Sequence, residues 1–357
     1  MQVFQGIDLF SGAGGLSLGA IDAGIDVKVA IDKNSFAAST YHHNLPEVKM
    51  INSDIKNIDI EKVRHHIDQK LVLFGGPPCQ GFSVSNSRTR NFKNPNNWLY
   101  KEFIRFIEHL NPEWVVIENV SGIKETEGGV FFDNILHELN ILGFQVFYAL
   151  LNASDYGVPQ KRNRFFIVAN RIGLEYNFPH KIKKRITVSE AIEDLPLVGN
   201  GNTIDQLRYS KNEQVSEYAK LLRNSAQSCS NNLVTRNSET IITRYKHVPQ
   251  GGNWQNIPKE LMQNYADRNR CHTGIYHRLL ANQPSKVIGN FRKNMLIHPF
   301  EDRGLSVREA ARLQSFPDRY IFQGSIGYQQ QQVADAVPPL LAKKVFEEIL
   351  NLDGNLE

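Results

Sequence analysis

Apolar positions in the first 180 residues fall into short runs separated by helical patterns. Strand-sized runs are followed by stretches whose apolar residues recur every three or four positions, which indicates alternating strands and helices. Such alternation is typical of a parallel sheet covered by helices. The predicted strands are Phe4–Leu9, Val27–Ile31, Val48–Ile51, Leu71–Phe74, Trp114–Ile117, Phe144–Leu150 and Arg164–Val168. The predicted helices are Leu16–Ala23, Ser35–His42, Ile60–Gln69, Leu99–His109 and Val130–Leu142.

The pattern changes after about Phe178. Between Lys181 and Leu305 the chain is rich in Asn, Gln, Ser and Gly, and its apolar periodicity is weak. Regular patterning returns at Ser306, a suitable N-cap for a predicted helix Val307–Ser315, and a last helix is predicted over Val337–Leu350. The sequence therefore predicts a large α/β domain, residues 1–180 completed by 306–357, and a smaller irregular domain, residues 181–305.

Charge is distributed unevenly between these two regions. The whole chain carries a formal net charge of +4, whereas residues 181–305 alone carry +8 and the remainder −4. A basic segment within a mildly acidic protein is typical of contact with a polyanion such as a nucleic acid, although a solvated polar face gives the same pattern.

Composition narrows the class of protein. Hydrophobic residues make up 41% of the chain and charged residues 22%, and the longest apolar runs are far too short to cross a membrane. No basic segment followed by an apolar stretch opens the chain, so we expect no signal peptide. The three widely separated cysteines, Cys79, Cys229 and Cys271, argue against a disulfide framework and a zinc site. They favour the reducing cytoplasm as the location.

A glycine-rich turn follows the first predicted strand. It runs over Phe10-Ser11-Gly12-Ala13-Gly14-Gly15, and such glycines let the backbone approach a ligand closely. Asp32 ends the second strand and Asp54 follows the third, so we expect both carboxylates at the same edge of the sheet, where an acid accepts hydrogen bonds from ribose hydroxyls. A dinucleotide fingerprint is matched imperfectly, because Ser17 stands where its third glycine belongs. A plain tight turn also explains the glycines.

The loop after the fourth predicted strand, Gly75-Gly76-Pro77-Pro78-Cys79-Gln80-Gly81, is the most informative stretch. Its prolines stiffen the approach to Cys79 and its glycines allow close contact with a ligand, which suits a nucleophilic cysteine. A lone cysteine is otherwise more often a small buried hydrophobe.

Three charged residues accompany this loop. Glu118 ends the fifth strand, where its carboxyl can donate to or accept from a heterocyclic ring. Arg162 and Arg164 are two positions apart, so on an extended strand they face one side and can hold a carbonyl oxygen or a phosphate. Each of the three has an alternative role as an ordinary surface charge.

Five sequence blocks together resemble the cytosine-C5 DNA methyltransferase family of bacterial restriction-modification systems. They occur in that family's order and cover residues 1 to about 175 and about 298 to 345. The resemblance implies a Rossmann-like fold, with a mixed, mostly parallel seven-stranded sheet, helices on both faces, and a smaller irregular target-recognition domain. The blocks are Asp8–Gly15, Gly76–Gln80, Glu118–Val120, Gln160–Arg164 and Arg308–Asp318.

The resemblance also implies a reaction that needs no metal. Cys79 would add to C6 of a cytosine flipped out of the duplex, which makes C5 nucleophilic toward the methyl group of S-adenosylmethionine (SAM). Glu118 would hold N3 and the exocyclic amine, Arg164 the ring O2, and Arg162 the loop or a phosphate. Loss of the C5 proton and of Cys79 would release 5-methylcytosine, with S-adenosylhomocysteine as the other product.

Cofactor and DNA contacts follow from the same resemblance. Phe10 would pack on the adenine, Asp32 would bind the ribose hydroxyls, and Asp54 would bind the adenine amine. The residues expected at the cofactor are Phe10, Ser11, Gly12, Gly14, Gly15, Asp32, Asp54, Ile55, Pro78, Leu99, Asp335 and Ala336. The residues expected at the DNA are Gln80, Ser83, Arg244, Gly251, Gly252, Asn253 and Arg292.

Two segments depart from the family pattern. The block that usually reads Gly-Asn-Ala-Val-Pro is Ala334-Asp335-Ala336-Val337-Pro338 here, and Asp keeps the acceptor of Asn but lacks its donor. The segment Pro284-Ser285-Lys286-Val287-Ile288 lacks a threonine that the family often carries. Neither change removes a catalytic group, so we expect activity.

The resemblance implies double-stranded DNA as the partner of a monomer in the cytoplasm, associated with the nucleoid and not with a membrane. A cognate restriction endonuclease would be its genetic partner. Two alternatives stay open: a methyltransferase acting on transfer RNA, and an inactive DNA-binding relative. A cytidine deaminase is disfavoured because the Pro78-Cys79 loop lacks the second cysteine of a zinc site, and a dehydrogenase would not explain the Pro-Pro-Cys loop.

Overall fold

The computed structural model describes residues 4–78, 98–210, 215–263, 274–292 and 295–354. The chain forms two compact units. The first comprises residues 1–156, 163–181 and 337–357, and the second comprises residues 157–162 and 182–336. The sequence pattern predicted a domain boundary after residue 180, close to the observed one after residue 181. It assigned residues 306–336 to the larger domain, whereas the structure groups them with the second unit.

The first unit is built on a sheet whose strands match the predicted ones within one or two residues. They are β1 (Gln5–Leu9), β2 (Asp26–Asp32), β3 (Lys49–Asn52), β4 (Leu71–Gly75), β5 (Trp114–Asn119), β6 (Gln145–Asn152) and β7 (Asn163–Asn170). Within the described residues, this sheet has seven strands in the order β3-β2-β1-β4-β5-β7-β6. Strands β1 to β5 are parallel, and β7 is antiparallel to both β5 and β6. The predicted mixed, mostly parallel seven-stranded sheet is confirmed.

Helices connect these strands. They are α1 (Gly15–Ala23), α2 (Ser35–Asn44), α3 (Ile60–Arg64), α4 (Tyr100–Leu110) and α5 (Val130–Ile141), with α11 (Pro339–Gly354) near the C-terminus. α1 is capped at both ends by glycines in the left-handed region, Gly14 at φ 84° and Gly24 at φ 114°. Apolar residues of α4 and α5, such as Phe103 and Phe131, are fully buried against the strands, and each such side chain contributes about 1.5–3 kcal/mol.

The carboxyl ends of four parallel strands lie in register. Leu9 of β1 pairs with Ile31 of β2 and with Gly75 of β4, and Gly75 pairs with Ile117 of β5. The residues that follow them, which include Phe10, Asp32, Gly76 and Glu118, therefore lie along one edge of the sheet. Ligands of open parallel sheets bind at this edge.

The second unit contains shorter elements. They are α6 (Val188–Ile192), β8 (Leu207–Arg208), α7 (Glu217–Arg223), β9 (Ser228–Cys229), α8 (Glu239–Lys246), α9 (Val307–Leu313) and α10 (Ile326–Asp335). Ser306 caps α9 as predicted, and its capping box is completed by Glu309. Across the ranges given above, no helix is long and apolar enough to cross a membrane.

Buried arginines join the irregular segments of the second unit. Arg312 contacts Asp194 and Asp318 at nitrogen–oxygen distances of 3.0 and 2.6 Å. Arg303 pairs with Glu309 at 2.7 Å. Burial alone would raise the pKa of Glu309, but the Arg303 guanidinium beside it lowers that pKa to about 2. The segment with weak apolar periodicity is therefore held together by polar side chains, whose loss would leave a buried charge uncompensated.

Candidate active site

Glu118 and Arg164 face each other at the carboxyl edge of the sheet. Glu118 lies near the end of β5 and Arg164 near the start of the antiparallel strand β7. The Arg164 Nε lies 2.6 Å from Glu118 Oε1, and the two side chains are only 12% and 10% exposed. The sequence predicted both residues, and the structure brings them together as one carboxylate–guanidinium pair. Such a pair offers hydrogen-bond partners to several polar atoms of a planar base.

The loop that leads to Cys79 begins directly beside this pair. A Cβ on Gly76 would lie 3.0 Å from Glu118 Oε2, so a larger residue would push the carboxylate aside. The buried Asn119 side chain donates from Nδ2 to the Pro77 carbonyl at 3.4 Å, and its Oδ1 accepts from the Val120 N–H at 2.8 Å. Sequence reasoning did not single out Asn119, although a buried amide at a strand end is a recognisable signal. The predicted residues Cys79, Gln80 and Ser83 lie outside the described residues.

The glycine-rich turn has an unusual backbone. Phe10 has φ 61°, followed by Gly12 at φ 54° and Gly14 at φ 84°. A bulky residue such as Phe10 adopts this region only at a cost of about 1–3 kcal/mol, and such strain concentrates at ligand sites. Ser11 is held by its N–H bond of 3.0 Å to the Ile31 carbonyl. The turn is thus fixed to the neighbouring strand β2.

The Asp32 carboxylate binds the backbone of this turn. Its Oδ2 accepts from the Gly12 N–H at 2.8 Å and its Oδ1 from the Asn34 N–H at 2.7 Å. Burial raises the pKa of Asp32, and these two backbone hydrogen bonds partly offset that effect. A carboxylate accepts up to about four hydrogen bonds, so Asp32 retains capacity for the hydroxyl donors of a ribose. The arrangement therefore fits the nucleoside part of a cofactor.

The third strand brings the next predicted residues to the same edge. The Asn52 side chain and the Ser53 N–H both donate to the Asp32 carbonyl, at 2.9 and 3.2 Å. Asp54 follows and accepts from the Lys56 N–H at 3.0 Å, and Ile55 beside it is buried. Of the remaining cofactor candidates in this unit, Pro78 is half-buried, and Leu99 is buried at the start of α4.

A third carboxyl group, that of Asp8, lies in β1 two residues before the turn. Asp8 is fully buried, and its Oδ2 accepts from the Ser17 hydroxyl at 2.6 Å, which in turn accepts from the Tyr41 hydroxyl at 2.7 Å. Burial raises the pKa of Asp8 to about 8, although the Ser17 hydrogen bond opposes the rise. Ser17, which stands where the dinucleotide fingerprint has its third glycine, thus donates a hydrogen bond to a buried carboxyl group.

Arg162 lies just before β7 and is surrounded by backbone carbonyls. It belongs to the second unit, is 2% exposed, and donates to the carbonyls of Ile288, Ala334 and Ala336. Backbone carbonyls engage its guanidinium away from solvent, as a role in holding a loop requires, and a part for Arg162 in catalysis stays a prediction. The strand begins only at Asn163, so the alternation argument did not apply to Arg162.

The last cofactor candidates lie at the end of α10. Asp335 is exposed, and both its carboxylate oxygens lie 2.8 Å from the amide nitrogen of Gln331, which donates to them. Ala336 is half-buried and forms the C-cap of the helix. The Asp that replaces the family's Asn is therefore engaged locally as an acceptor.

Arg244, predicted to contact DNA, lies in the core of the second unit. It is 3% exposed and donates to the Leu261 carbonyl at 2.7 Å and the Tyr276 hydroxyl at 2.8 Å. Neighbouring aromatic residues, including Trp254, form an apolar cluster there. These contacts correct the expectation of a DNA-contacting Arg244.

The other DNA candidates in this unit lie nearer the surface. Gly251 has φ 77° and donates to the Arg278 carbonyl at 2.9 Å, and Gly252 follows it. The Asn253 side chain caps the short helix after the loop by accepting from the Gln255 N–H at 2.9 Å. Arg292 is exposed. A compact loop with an exposed tip is compatible with contact to a large ligand.

Comparisons with known proteins extend over nearly the whole chain. Residues 4–351 match the family described as C-5 cytosine-specific DNA methylase. The type II methyltransferase M1.HphI of Haemophilus parahaemolyticus is 34% identical over 98% of this chain and 87% of its own length. M.DdeI of Desulfomicrobium norvegicum is 33% identical over 96% of this chain and 88% of its own length. A solved structure from Escherichia coli, described as a DNA modification methyltransferase encoded within a prophage, matches with a TM-score of 0.81 and 26% identity over 98% of this chain and 99% of that one.

Proposed function

Since this chain belongs to the C-5 cytosine-specific DNA methylase family, it is a DNA cytosine-5-methyltransferase, and we propose that it methylates a flipped cytosine in a specific duplex sequence through a covalent bond from Cys79. The family uses SAM as the methyl donor. M1.HphI and M.DdeI are type II methyltransferases, which supports a restriction-modification context and a cognate endonuclease as genetic partner.

The observation that carries this proposal is the ion pair of Glu118 and Arg164 beside Gly76. The pair lies where the loop to Cys79 leaves the sheet, and a Cβ at Gly76 would come within 3.0 Å of the Glu118 carboxylate. A cytosine offers the polar atoms N3, N4 and O2 on one edge and carbon C6 nearby. The carboxyl of Glu118 and the guanidinium of Arg164 therefore suit the polar edge of this base, and Cys79 follows Gly76 by three residues in the sequence.

In the proposed reaction, Cys79, Glu118 and Arg164 act on the cytosine in a fixed order of steps. The Cys79 thiolate bonds to C6, and the electrons of the C5=C6 bond become available at C5. Glu118 holds N3 and the exocyclic amine, which stabilises the charge that the ring gains, and Arg164 contacts O2. SAM, when bound, supplies a methyl group activated by its sulfonium. Removal of the C5 proton then re-forms the double bond as Cys79 leaves with its electron pair.

The turn between β1 and α1 would hold the cofactor. In this proposal Phe10 packs on the adenine, while Asp32 receives the ribose hydroxyls and Asp54 the adenine amine. The two hydrogen bonds that Asp32 accepts from Gly12 and Asn34 fix its carboxylate before the ligand arrives. Such preorganisation lowers the entropic cost of binding.

The second unit would read the DNA. Residues 181–305 carry a net charge of +8, which suits a polyanion. Gly251 and Asn253 lie on a compact loop, and Arg292 is exposed. A target base is out of reach in a stacked duplex, so base flipping is part of the proposal.

Trapping the covalent complex tests the proposal. Purified protein is incubated with methyl-labelled SAM and duplex DNA carrying 5-fluorocytosine, beside a transfer-RNA sample. Fluorine at C5 cannot leave as a proton does, so the enzyme should stay bonded to methylated DNA. We expect a labelled complex that resists denaturation with the wild type, and none with Cys79→Ser.

The other outcomes are equally decisive. Labelling of transfer RNA without any DNA complex would assign the enzyme to RNA. A complex that persists in Cys79→Ser would overturn the role of Cys79. Absence of labelling on both substrates would favour an inactive DNA-binding relative.

A further inference from the structure

The segment after β3 brings Asp54 to the carboxyl edge of the sheet in the first unit. Asn52 of β3 pairs with Asp32 of β2, and the Ser53 N–H donates to the Asp32 carbonyl at 3.2 Å. Two carboxylates thus follow one another on neighbouring parallel strands, at the edge where open parallel sheets bind ligands. Phe10, which follows β1 at this edge, has a strained backbone with φ 61°, and such strain also favours a ligand there.

A single turn of 3₁₀ helix, Ile55–Asn57, follows Asp54. Its last hydrogen bond, from the Ile58 N–H to the Ile55 carbonyl, is long at 3.3 Å. One helical turn is marginal by itself, because ordering its backbone costs more free energy than its few hydrogen bonds return. The Asp54 carboxylate accepts from the Lys56 N–H of this turn at 3.0 Å, so its orientation depends on how well the turn is held.

Arg105 of α4 holds this turn from outside. Its Nη2 donates to the Ile55 carbonyl at 2.9 Å, and its Nη1 makes a longer bond of 3.5 Å to the Ile58 carbonyl. Glu102, one turn earlier on α4, pairs with the Arg105 Nε at 2.8 Å and so orients the guanidinium. Hydrogen bonds from a charged donor are stronger than those between neutral groups. Arg105 therefore attaches both ends of the turn to a long, well-packed helix.

We propose that Arg105 is a positioning residue for cofactor selectivity, because it fixes the turn that orients the Asp54 carboxylate. The inference rests on the proposed function, which assigns the adenine amine to Asp54. Arg105 acts through the backbone, since its donors are directed to the carbonyls of Ile55 and Ile58 and to Glu102.

The chemistry of the purine ring makes this role measurable. An amine on the ring donates to a carboxylate, whereas a carbonyl oxygen at the same position only accepts and would meet the negative charge of Asp54. A well-held Asp54 therefore selects adenine over hypoxanthine, and a loosely held one does not.

The matched control is Arg64 of α3. Its Nη1 donates to the His109 carbonyl, in the last turn of α4, at 3.0 Å. Arg64 and Arg105 thus both join α4 to the chain that follows β3, through bonds from a guanidinium to a backbone carbonyl. Only the acceptors of Arg105 belong to the segment directly after Asp54.

The experiment measures binding of two ligands by calorimetry without DNA, for the wild type, Arg105→Met and Arg64→Met. One ligand is S-adenosylhomocysteine, and the other is S-inosylhomocysteine, in which a carbonyl replaces the adenine amine. The wild type should prefer the adenine ligand by about tenfold or more, since a hydrogen bond to a charged group separates the two. In Arg105→Met this preference should fall by about fivefold or more, because the carboxylate loses its fixed orientation.

Arg64→Met should keep the preference of the wild type. A loss of stability alone lowers the thermal midpoint, but it leaves the ratio of the two affinities unchanged at temperatures where the protein is folded. An unchanged preference in Arg105→Met, or an equal loss in Arg64→Met, would overturn the positioning role.

If Arg105→Met does not fold, Arg105→Lys replaces it, because a single ammonium keeps the charge but cannot bridge two carbonyls as the planar guanidinium does. We expect the preference to fall there as well, and a retained preference would overturn the inference. A wild type that binds both ligands equally would contradict the role of Asp54, and the role of Arg105 with it. Failure of the wild type to bind either ligand would instead count against the proposed function.

Discussion

The Gly12 N–H donates a 2.8 Å hydrogen bond to Asp32 Oδ2, so the glycine-rich turn and the acid at the end of β2 form one structural feature. The Asn34 N–H binds the other oxygen of the same carboxylate. Asp32 therefore shapes the turn as well as offering acceptors to a ligand, and its removal affects both functions.

Asp32→Asn should weaken binding of S-adenosylhomocysteine, which carries the same ribose as SAM, by about tenfold or more, because an amide cannot accept from both N–H groups and from ribose hydroxyls at once. Calorimetric titration with S-adenosylhomocysteine measures this directly. Asp26→Asn is the matched control, since Asp26 lies at the other end of β2 and pairs with Lys28. Equal affinity of the two variants would exclude Asp32 from the cofactor site.

Glu118→Gln should reduce the rate of methyl transfer by about 10²–10⁴-fold, because the amide cannot exchange a proton with the base or balance the charge of Arg164. Single-turnover assays on duplex DNA give the rate, and affinity for S-adenosylhomocysteine should not change. Glu113 flanks the other end of β5, where its carboxylate accepts from the Leu71 N–H at 2.7 Å. Glu113→Gln should therefore keep the wild-type rate, and a Glu118→Gln enzyme as fast as this control would contradict the proposed role.

Asp8 should make the stability of the protein depend on pH. Burial raises its pKa from 3.8 to about 8. The Ser17 hydroxyl, which accepts from Tyr41, donates to Asp8 and opposes this rise, whereas the negative charge of Asp32 adds to it. Between about pH 4 and about pH 8 the Asp8 carboxyl keeps its proton in the folded state and releases it in the unfolded state. The free energy of unfolding therefore falls as the pH rises through this range. The slope reaches at most about 1.4 kcal/mol per pH unit.

Asp8→Asn should remove that slope. Denaturant unfolding between about pH 5 and about pH 9 would show the variant gaining stability relative to the wild type as the pH increases. A constant difference between the two proteins across that range would mean that Asp8 titrates normally.

The sheet could be predicted from sequence because its buried strands read as short apolar runs. The helix predicted over Ile60–Gln69 ends earlier, at Arg64, because of a contact with a distant part of the chain. The Gln5 side chain accepts from the N–H groups of Asp68 and Gln69, at 2.9 and 3.2 Å, and holds that stretch outside the helix. A contact across 63 residues leaves no local pattern.

The second unit was harder to predict because polar residues form part of its interior. α10 buries Gln329, Gln330 and Gln332, so its inner face gives no apolar periodicity. Arg162 and Arg244 were predicted at ligands because of their charge, whereas their guanidinium groups are buried against carbonyls and a hydroxyl. Sequence pattern identifies the type of side chain but not the acceptors that the fold supplies.

Gly19 offers a test of how the C-terminal helix closes the first unit. A Cβ at Gly19 of α1 would lie 2.5 Å from Ala342 Cβ and 2.6 Å from the Pro339 carbonyl of α11, so the two helices touch through this glycine. Helix propensity alone would make Gly19→Ala stabilising by about 1 kcal/mol. We expect the reverse, a loss of about 1–3 kcal/mol in the free energy of unfolding, because the clash involves backbone atoms that cannot move aside.

Urea unfolding followed by tryptophan fluorescence measures that loss. Gly199→Ala is the control, since Gly199 is exposed and a Cβ there would meet nothing within 4 Å. Its stability should stay within about 0.5 kcal/mol of the wild type. If Gly19→Ala were as stable as this control, α11 would have to pack further from α1 than the structure shows, and the C-terminal helix would not be held at the glycine.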